Sequence, residues 1–237
     1  MNINGLISTF ETRVSMEGIL KQSRQSLEEY INPALIKVDE QIPKQILKDA
    51  KGIVILTIVK TGLIINGSVG TGIILIKQDN QSQDNESQDN QSQEGQQWSG
   101  PSAVGMCGLS IGLQLGLEKV DVIIVLNTDD AVQQFMKSNQ VTLGGEASIS
   151  VGPVGRDAEV ALGLTTRGVE PMYSYSKSKG LYAGLSVEGK ILMLREACNY
   201  KFYNQIIPVR QILSNNNVQI PPNEDLTRIY EILNTHC

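Results

Sequence analysis

Residues 53–59 read IVILTIV, an unbroken run of apolar and β-branched side chains that follows Gly52 directly. Two more such runs, LIIN at 63–66 and IILI at 73–76, lie in a frame set by Gly62, Gly67, Gly70 and Gly72. β-Branched side chains lose freedom in a helix and pack well on a pleated surface. Glycine permits tight bends and close backbone approach. The pattern predicts short strands joined by tight bends, with GSVGTG at 67–72 as a glycine-bent hairpin.

The same texture continues beyond residue 98. Leu109, Ile111, Leu113, Leu115 and Leu117 alternate with Gly108, Gly112 and Gly116, which gives a strand with one aliphatic and one partly bare face. VDVIIVL at 120–126 reads as a buried strand. Thr128 is placed to cap a helix with Asp129 and Asp130 in its first turn and Ala131, Val132, Phe135 and Met136 turned inward. Further strands are expected at 141–151, 156–165, 170–176, 181–187 and 190–194.

Helical patterns lie at the two ends. Met16, Leu20, Leu27, Ile31 and Leu35 recur near the helix period, with Pro33 closing the main run. A short helix fits residues 43–50. Two more follow Pro208 and the Pro221-Pro222 pair, the last capped by Asn223 with Leu226, Ile229, Tyr230 and Leu233 as its apolar stripe. The expected class is α+β: a mostly antiparallel, glycine-rich, curved β-sheet system with N-terminal and C-terminal helices and one inserted helix.

Residues 79–93 repeat DNQSQ, DNESQ, DNQSQ and contain no apolar side chain. Such a tract cannot offset the entropy of ordering, so 78–97 is expected to be a disordered insertion loop in a single domain spanning 1–237. Its five acids account for the formal charge of −5; elsewhere the acids equal the 20 bases. A globally basic nucleic-acid binder is therefore disfavoured.

Catalytic chemistry finds little footing. The one histidine, His236, excludes histidine-built zinc sites and a Ser-His-Asp engine in the core. Cys107, Cys198 and Cys237 are widely spaced, which implies a reducing compartment and no disulfide framework. Cys107 reads as a small buried hydrophobe. GSVGTG and GPVGR match neither phosphate-loop spacing. Asp129-Asp130 and Asp157/Glu159 lack the arrangement of a poised acid and base. No apolar run is long enough for a spanning helix, and no signal peptide is evident at the start.

YSYSKSKGLYAG at 173–184 differs. On a strand, Tyr173, Tyr175, Lys177 and Lys179 share one parity, and bases outnumber acids across 177–210. Basic and hydroxyl groups near a turn can hold a phosphate or an acidic protein surface. A strand edge guarded by lysine gives the same pattern.

Four ordered motifs carry a resemblance: AKGIVILTIVKTGLIINGSVGTGIIL, WSGPSAVGMCGLSIGLQLGLEKVDVIIVLN, VTLGGEASISVGPVGRDAEV and YSYSKSKGLYAGLSVEGK. With the KFY and DLTRIYEIL tail, the chain resembles the SYLF domain family from about residue 5 to 234. The resemblance implies a non-enzymatic module without cofactor or metal that binds phosphoinositide-containing membranes. It also implies F-actin and endocytic adaptor proteins as partners, a cytoplasmic location at endosomal or plasma membrane and cortical actin, and no nucleic acid. Lys60, Arg156, Lys177 and Lys179 match common family positions and are the candidate lipid- or actin-binding residues. Leu20, Leu27 and Ile31 mark a candidate membrane-contact helix, or else interior packing. A protein-interaction scaffold without lipid binding is the alternative reading, and a hydrolase a remote one.

Overall fold

The computed structural model describes residues 15–31, 42–62, 65–78, 98–111, 116–137, 140–143, 150–151, 172–178, 190–214 and 218–237. The helices are α1 (Met16–Ile31), α2 (Lys44–Lys48), α3 (Asp129–Lys137), α4 (Glu196–Tyr203), α5 (Val209–Ser214) and α6 (Glu224–His236). The strands are β1 (Gly52–Gly62), β2 (Ile65–Ile76), β3 (Ser102–Ile111), β4 (Gly116–Leu126), β5 (Gln140–Leu143), β6 (Ser150–Val151), β7 (Met172–Ser178) and β8 (Lys190–Leu194). They form one sheet in the order β5-β8-β3-β2-β1-β4-β7-β6. Every pairing is antiparallel except β6 with β7.

The run at 53–58 is buried at every position, so β1 is covered on both faces. Pleating sends Ile53 and Ile55 to one core and Val54, Leu56 and Ile58 to the other. The first core joins Ile73, Leu75, Ile123, Val125, Tyr173 and Tyr175 to α1, α2, α4 and α6. The second joins Ile74, Val122, Ile124 and Met172 to Ala131, Val132 and Phe135 of α3 and to Val209 and Leu213 of α5. Among the described residues, the expected α+β class and an inserted helix, α3, are both present.

The boundaries differ in instructive ways. GSVGTG is not a hairpin corner, because β2 runs straight through it. A Cβ at Gly72 would lie 1.9 Å from the Ile55 carbonyl oxygen, and one at Gly70 would lie 3.1 Å from that of Thr57. These glycines let β1 and β2 approach closely. Helix α4 was not expected: its buried residues are Cys198, Asn199, Phe202 and Tyr203, a mixed stripe that hides the helical period. Asn199 accepts from the Ala103 N–H at 2.8 Å and donates to Ser102 Oγ at 2.9 Å. Cys107 is half-buried rather than buried. The expected strands at 156–165 and 181–187 lie outside the described residues.

Both predicted caps form. Thr128 Oγ1 accepts from the Ala131 N–H at 3.2 Å, and Asn223 Oδ1 accepts from the Leu226 N–H at 3.0 Å. Leu20 and Leu27 are 0% exposed, and Ile31 packs against the same core. The apolar stripe of α1 is therefore interior packing in this fold, the alternative that the sequence left open for these three residues.

The repeat at 79–93 lies outside the described residues, but its base is well defined. Lys77 and Trp98 form an antiparallel bridge, and Ser99 exchanges hydrogen bonds with Ile76 through its N–H (2.8 Å) and its Oγ (3.0 Å). Lys77 Nζ donates to the carbonyl oxygens of Cys237 at 2.7 Å and Lys48 at 3.1 Å. Deleting 79–93 is expected to leave the melting temperature within a few degrees, because loop closure changes by only about 0.6 kcal/mol per doubling of length. A fall of ten degrees or more in a thermal melt would show that the tract packs on the fold. Trp98 is 1% exposed. Trp98→Ala is expected to cost about 3–5 kcal/mol in urea denaturation, as for other large buried aromatics.

Candidate functional site

Of the basic sequence candidates, Lys60 and Lys177 lie among the described residues, and they do not share a face of the sheet. Lys60 stands opposite Glu118 of β4 and Ser68 of β2. Lys177 stands opposite Asp121, which in turn stands opposite Thr57. Thr57 and Lys60 are three residues apart on β1, so the pleat puts positions 60 and 177 on opposite faces of the sheet. Lys60 is half-buried. Arg156 and Lys179 lie outside the described residues.

A buried polar group the sequence reading missed lies beside this ladder. Asp121 is 5% exposed. Its Oδ1 accepts from Thr57 Oγ1 at 2.5 Å, and Lys119 Nζ lies 3.3 Å from its Oδ2. Tyr30 of α1 donates its hydroxyl to the Asp121 carbonyl oxygen at 3.1 Å. A buried carboxylate is tolerated only when paired and hydrogen-bonded, and this one is both. The signal was available in EKVDVIIVL, where Lys119 and Asp121 share parity inside a strand-forming run.

The other polar groups near the core are equally quiet. Burial pushes the Tyr30 hydroxyl far above its ordinary range, and Asp121 and Glu29 push the same way. Burial and Tyr173 do the same to Tyr175. The Cys198 thiol is raised by burial, and that of Cys237 is pushed up to about 12 by burial against the opposing pull of Lys77. Neutral phenols and thiols are poor bases and poor nucleophiles. Among the described residues no group of three or more His, Cys, Asp or Glu side chains could hold a metal.

Basic groups also extend beyond β7. Arg195 lays its aliphatic stem over Gly105, where a Cβ would lie 3.3 Å from its Cδ. Lys201 and Arg210 are exposed. Tyr173 and Tyr175, which share parity with position 177, are buried in the first core and are unavailable as a surface aromatic pair.

A family model described as Ysc84, Las17-binding protein actin regulator, matches residues 107–236. The chain belongs to the Ysc84, or SYLF-domain, family. It is 37% identical over 219 residues to Protein YSC84 of Saccharomyces cerevisiae, covering 92% of this chain and 43% of that protein. LAS seventeen-binding protein 3 of the same organism is 37% identical over 219 residues, covering 92% of this chain and 44% of that protein. SH3 domain-containing YSC84-like protein 1 of Mus musculus is 38% identical over 197 residues, covering 83% of this chain and 52% of that protein. The chain thus spans about half the length of the curated relatives it matches. No helix among the described residues is long and apolar enough to cross a membrane.

Asp121→Ala is expected to cost about 1.5–3 kcal/mol, the range for losing hydrogen bonds to a charged group, and Tyr30→Phe about 1 kcal/mol. Urea denaturation checks both. Near-neutral outcomes would mean that water replaces these partners.

Proposed function

We propose that this domain is a non-enzymatic module that binds phosphoinositide-containing membranes and actin filaments, and so links membrane to cortical actin in endocytic or vesicle traffic. The observation that carries this reading is the match to a family described as actin regulators across residues 107–236. The quiet chemistry of the core supports a binding role over a catalytic one. The proposed setting is the cytoplasmic side of endosomal or plasma membrane, without a cofactor and with endocytic adaptor proteins as further partners. Lys177, Lys179 and Arg156 are the proposed anion-binding residues, with Lys60 as a further candidate. The acidic repeat at 78–97 is proposed as an insertion loop within one domain. A scaffold that recruits proteins without binding lipid is the second reading; it is favoured by the family description, which names a protein ligand, Las17.

Reversing Lys177 and Lys179 to Glu is expected to abolish pelleting with phosphoinositide vesicles and leave the circular dichroism spectrum intact. Unchanged pelleting would remove these lysines from the site. Filament cosedimentation is expected to weaken as salt rises, since the Debye length shrinks to about 8 Å at physiological ionic strength. Absence of saturable filament pelleting at low salt would leave the lipid or scaffold reading.

A further inference from the structure

The connection between α4 and α5 presents an apolar side chain that the fold does not use. Ile206 is 88% exposed. Among the residues whose side chains are described, every other isoleucine is buried or half-buried. The next residue, Ile207, turns in and packs against the first core. The chain here passes from a helix packed on the first core to one shared by both: α4 contributes Cys198, Phe202 and Tyr203 to the first core, and α5 contributes Ile212 to the first and Val209 and Leu213 to the second.

The turn has a defined shape. Asn204 ends α4 in the left-handed conformation, with φ 52° and ψ 28°. Asparagine accepts this region more readily than most residues. Pro208, whose ring fixes φ, leads into α5, and its carbonyl oxygen accepts from the Gln211 and Ile212 N–H groups at 2.8 and 3.1 Å. Ile206 is thus held outward between two anchored helices.

Its surroundings select a ligand. Tyr200, 51% exposed, lies on the helix stripe that ends at Asn204. Lys201 and Arg210 are exposed on either side of the turn, and residues 197–214 contain no Asp or Glu. An aliphatic tip, a tyrosine one turn back and flanking bases suit an anionic lipid surface. At such a surface an aliphatic side chain can enter the acyl boundary, a phenol can sit at headgroup depth, and bases can meet lipid phosphates or carboxylates.

We propose that the α4–α5 turn, with Ile206 at its tip and Tyr200, Lys201 and Arg210 around it, is a membrane-insertion wedge for anionic bilayers. This rests on the membrane reading above for its class of ligand, but it uses a separate surface from Lys177 and Lys179. The wedge reads the charge and packing of the bilayer rather than one headgroup.

The test uses the full chain with three vesicle types: phosphatidylcholine alone, phosphatidylcholine with phosphatidylserine, and phosphatidylcholine with phosphoinositide. Ile206→Glu is expected to weaken pelleting on both anionic vesicles by about tenfold or more, the share of one aliphatic side chain moved out of water. Its melting temperature should not change. Lys201→Glu with Arg210→Glu should weaken pelleting in a salt-dependent way. In Ile206→Trp, the new indole should shift to the blue on phosphatidylserine vesicles and be quenched by brominated acyl chains. Unchanged pelleting of Ile206→Glu, or an indole that keeps its aqueous emission, would overturn the wedge. A variant that instead loses self-association in sedimentation would also overturn it, by assigning the tip to a second copy of the chain. If Lys177/Lys179 reversal abolishes binding while Ile206→Glu does not, the wedge falls and the functional reading stands. The opposite pattern leaves the wedge and removes the lysine site. Failure of the unaltered chain to pellet with any anionic vesicle removes both.

Discussion

Burial of β1 on both faces dictates how the other elements must pack. An antiparallel strand with one wet face alternates apolar and polar residues, whereas IVILTI at 53–58 does not alternate and is buried throughout. Each exposed Ile, Leu or Val would forfeit about 1.5–3 kcal/mol of burial, so neither face can be left open. Helices α1 and α6 close one side, and α3 with part of α5 closes the other. The glycines of β2 belong to the same solution: at Gly72 the neighbouring strand comes so close that no side chain fits.

This construction limits where function can reside. Helix α1 has an apolar stripe at membrane-binding spacing, but Leu20 and Leu27 are spent on the first core and Tyr30 is tied to the backbone of β4. Asp121 has its charge matched by Lys119 and a hydrogen bond from Thr57. Among the described residues, what remains for partners is the outer shell: exposed bases such as Lys201 and Arg210, and the turn between α4 and α5. A rigid body with peripheral cationic and apolar contacts fits the role proposed for a Ysc84-family domain.

Much of this was legible in the sequence. The β-branched runs marked β1, β2 and β4. Thr128 and Asn223 announced the starts of α3 and α6, because a cap is a local hydrogen bond fixed by local sequence. The rest depended on long-range facts. GSVGTG reads as a bend by composition, and only the approach of β1 makes it a mid-strand gap. The buried stripe of α4 mixes a thiol, an amide and aromatic groups, so hydrophobicity alone does not mark its helical period. Periodicity located the stripe Leu20, Leu27 and Ile31 but could not say whether membrane or sheet would cover it. Lys60 and Lys177 were candidates by their match to family positions, and only the register of β1, β4 and β7 shows that they stand on opposite faces. Ile206 carries no pattern at all; its exposure follows from where two helices dock.

The domain is expected to meet its partners with outer groups while the two-faced core, α1 included, stays closed. Amide hydrogen exchange with and without phosphoinositide vesicles tests it most directly. Amides of α1, β1 and β4 should keep the same slow exchange in both conditions, with any added protection confined to peripheral segments. Accelerated exchange across Met16–Ile31 on vesicle binding would contradict the account, because it would mean that α1 leaves the core to meet the membrane.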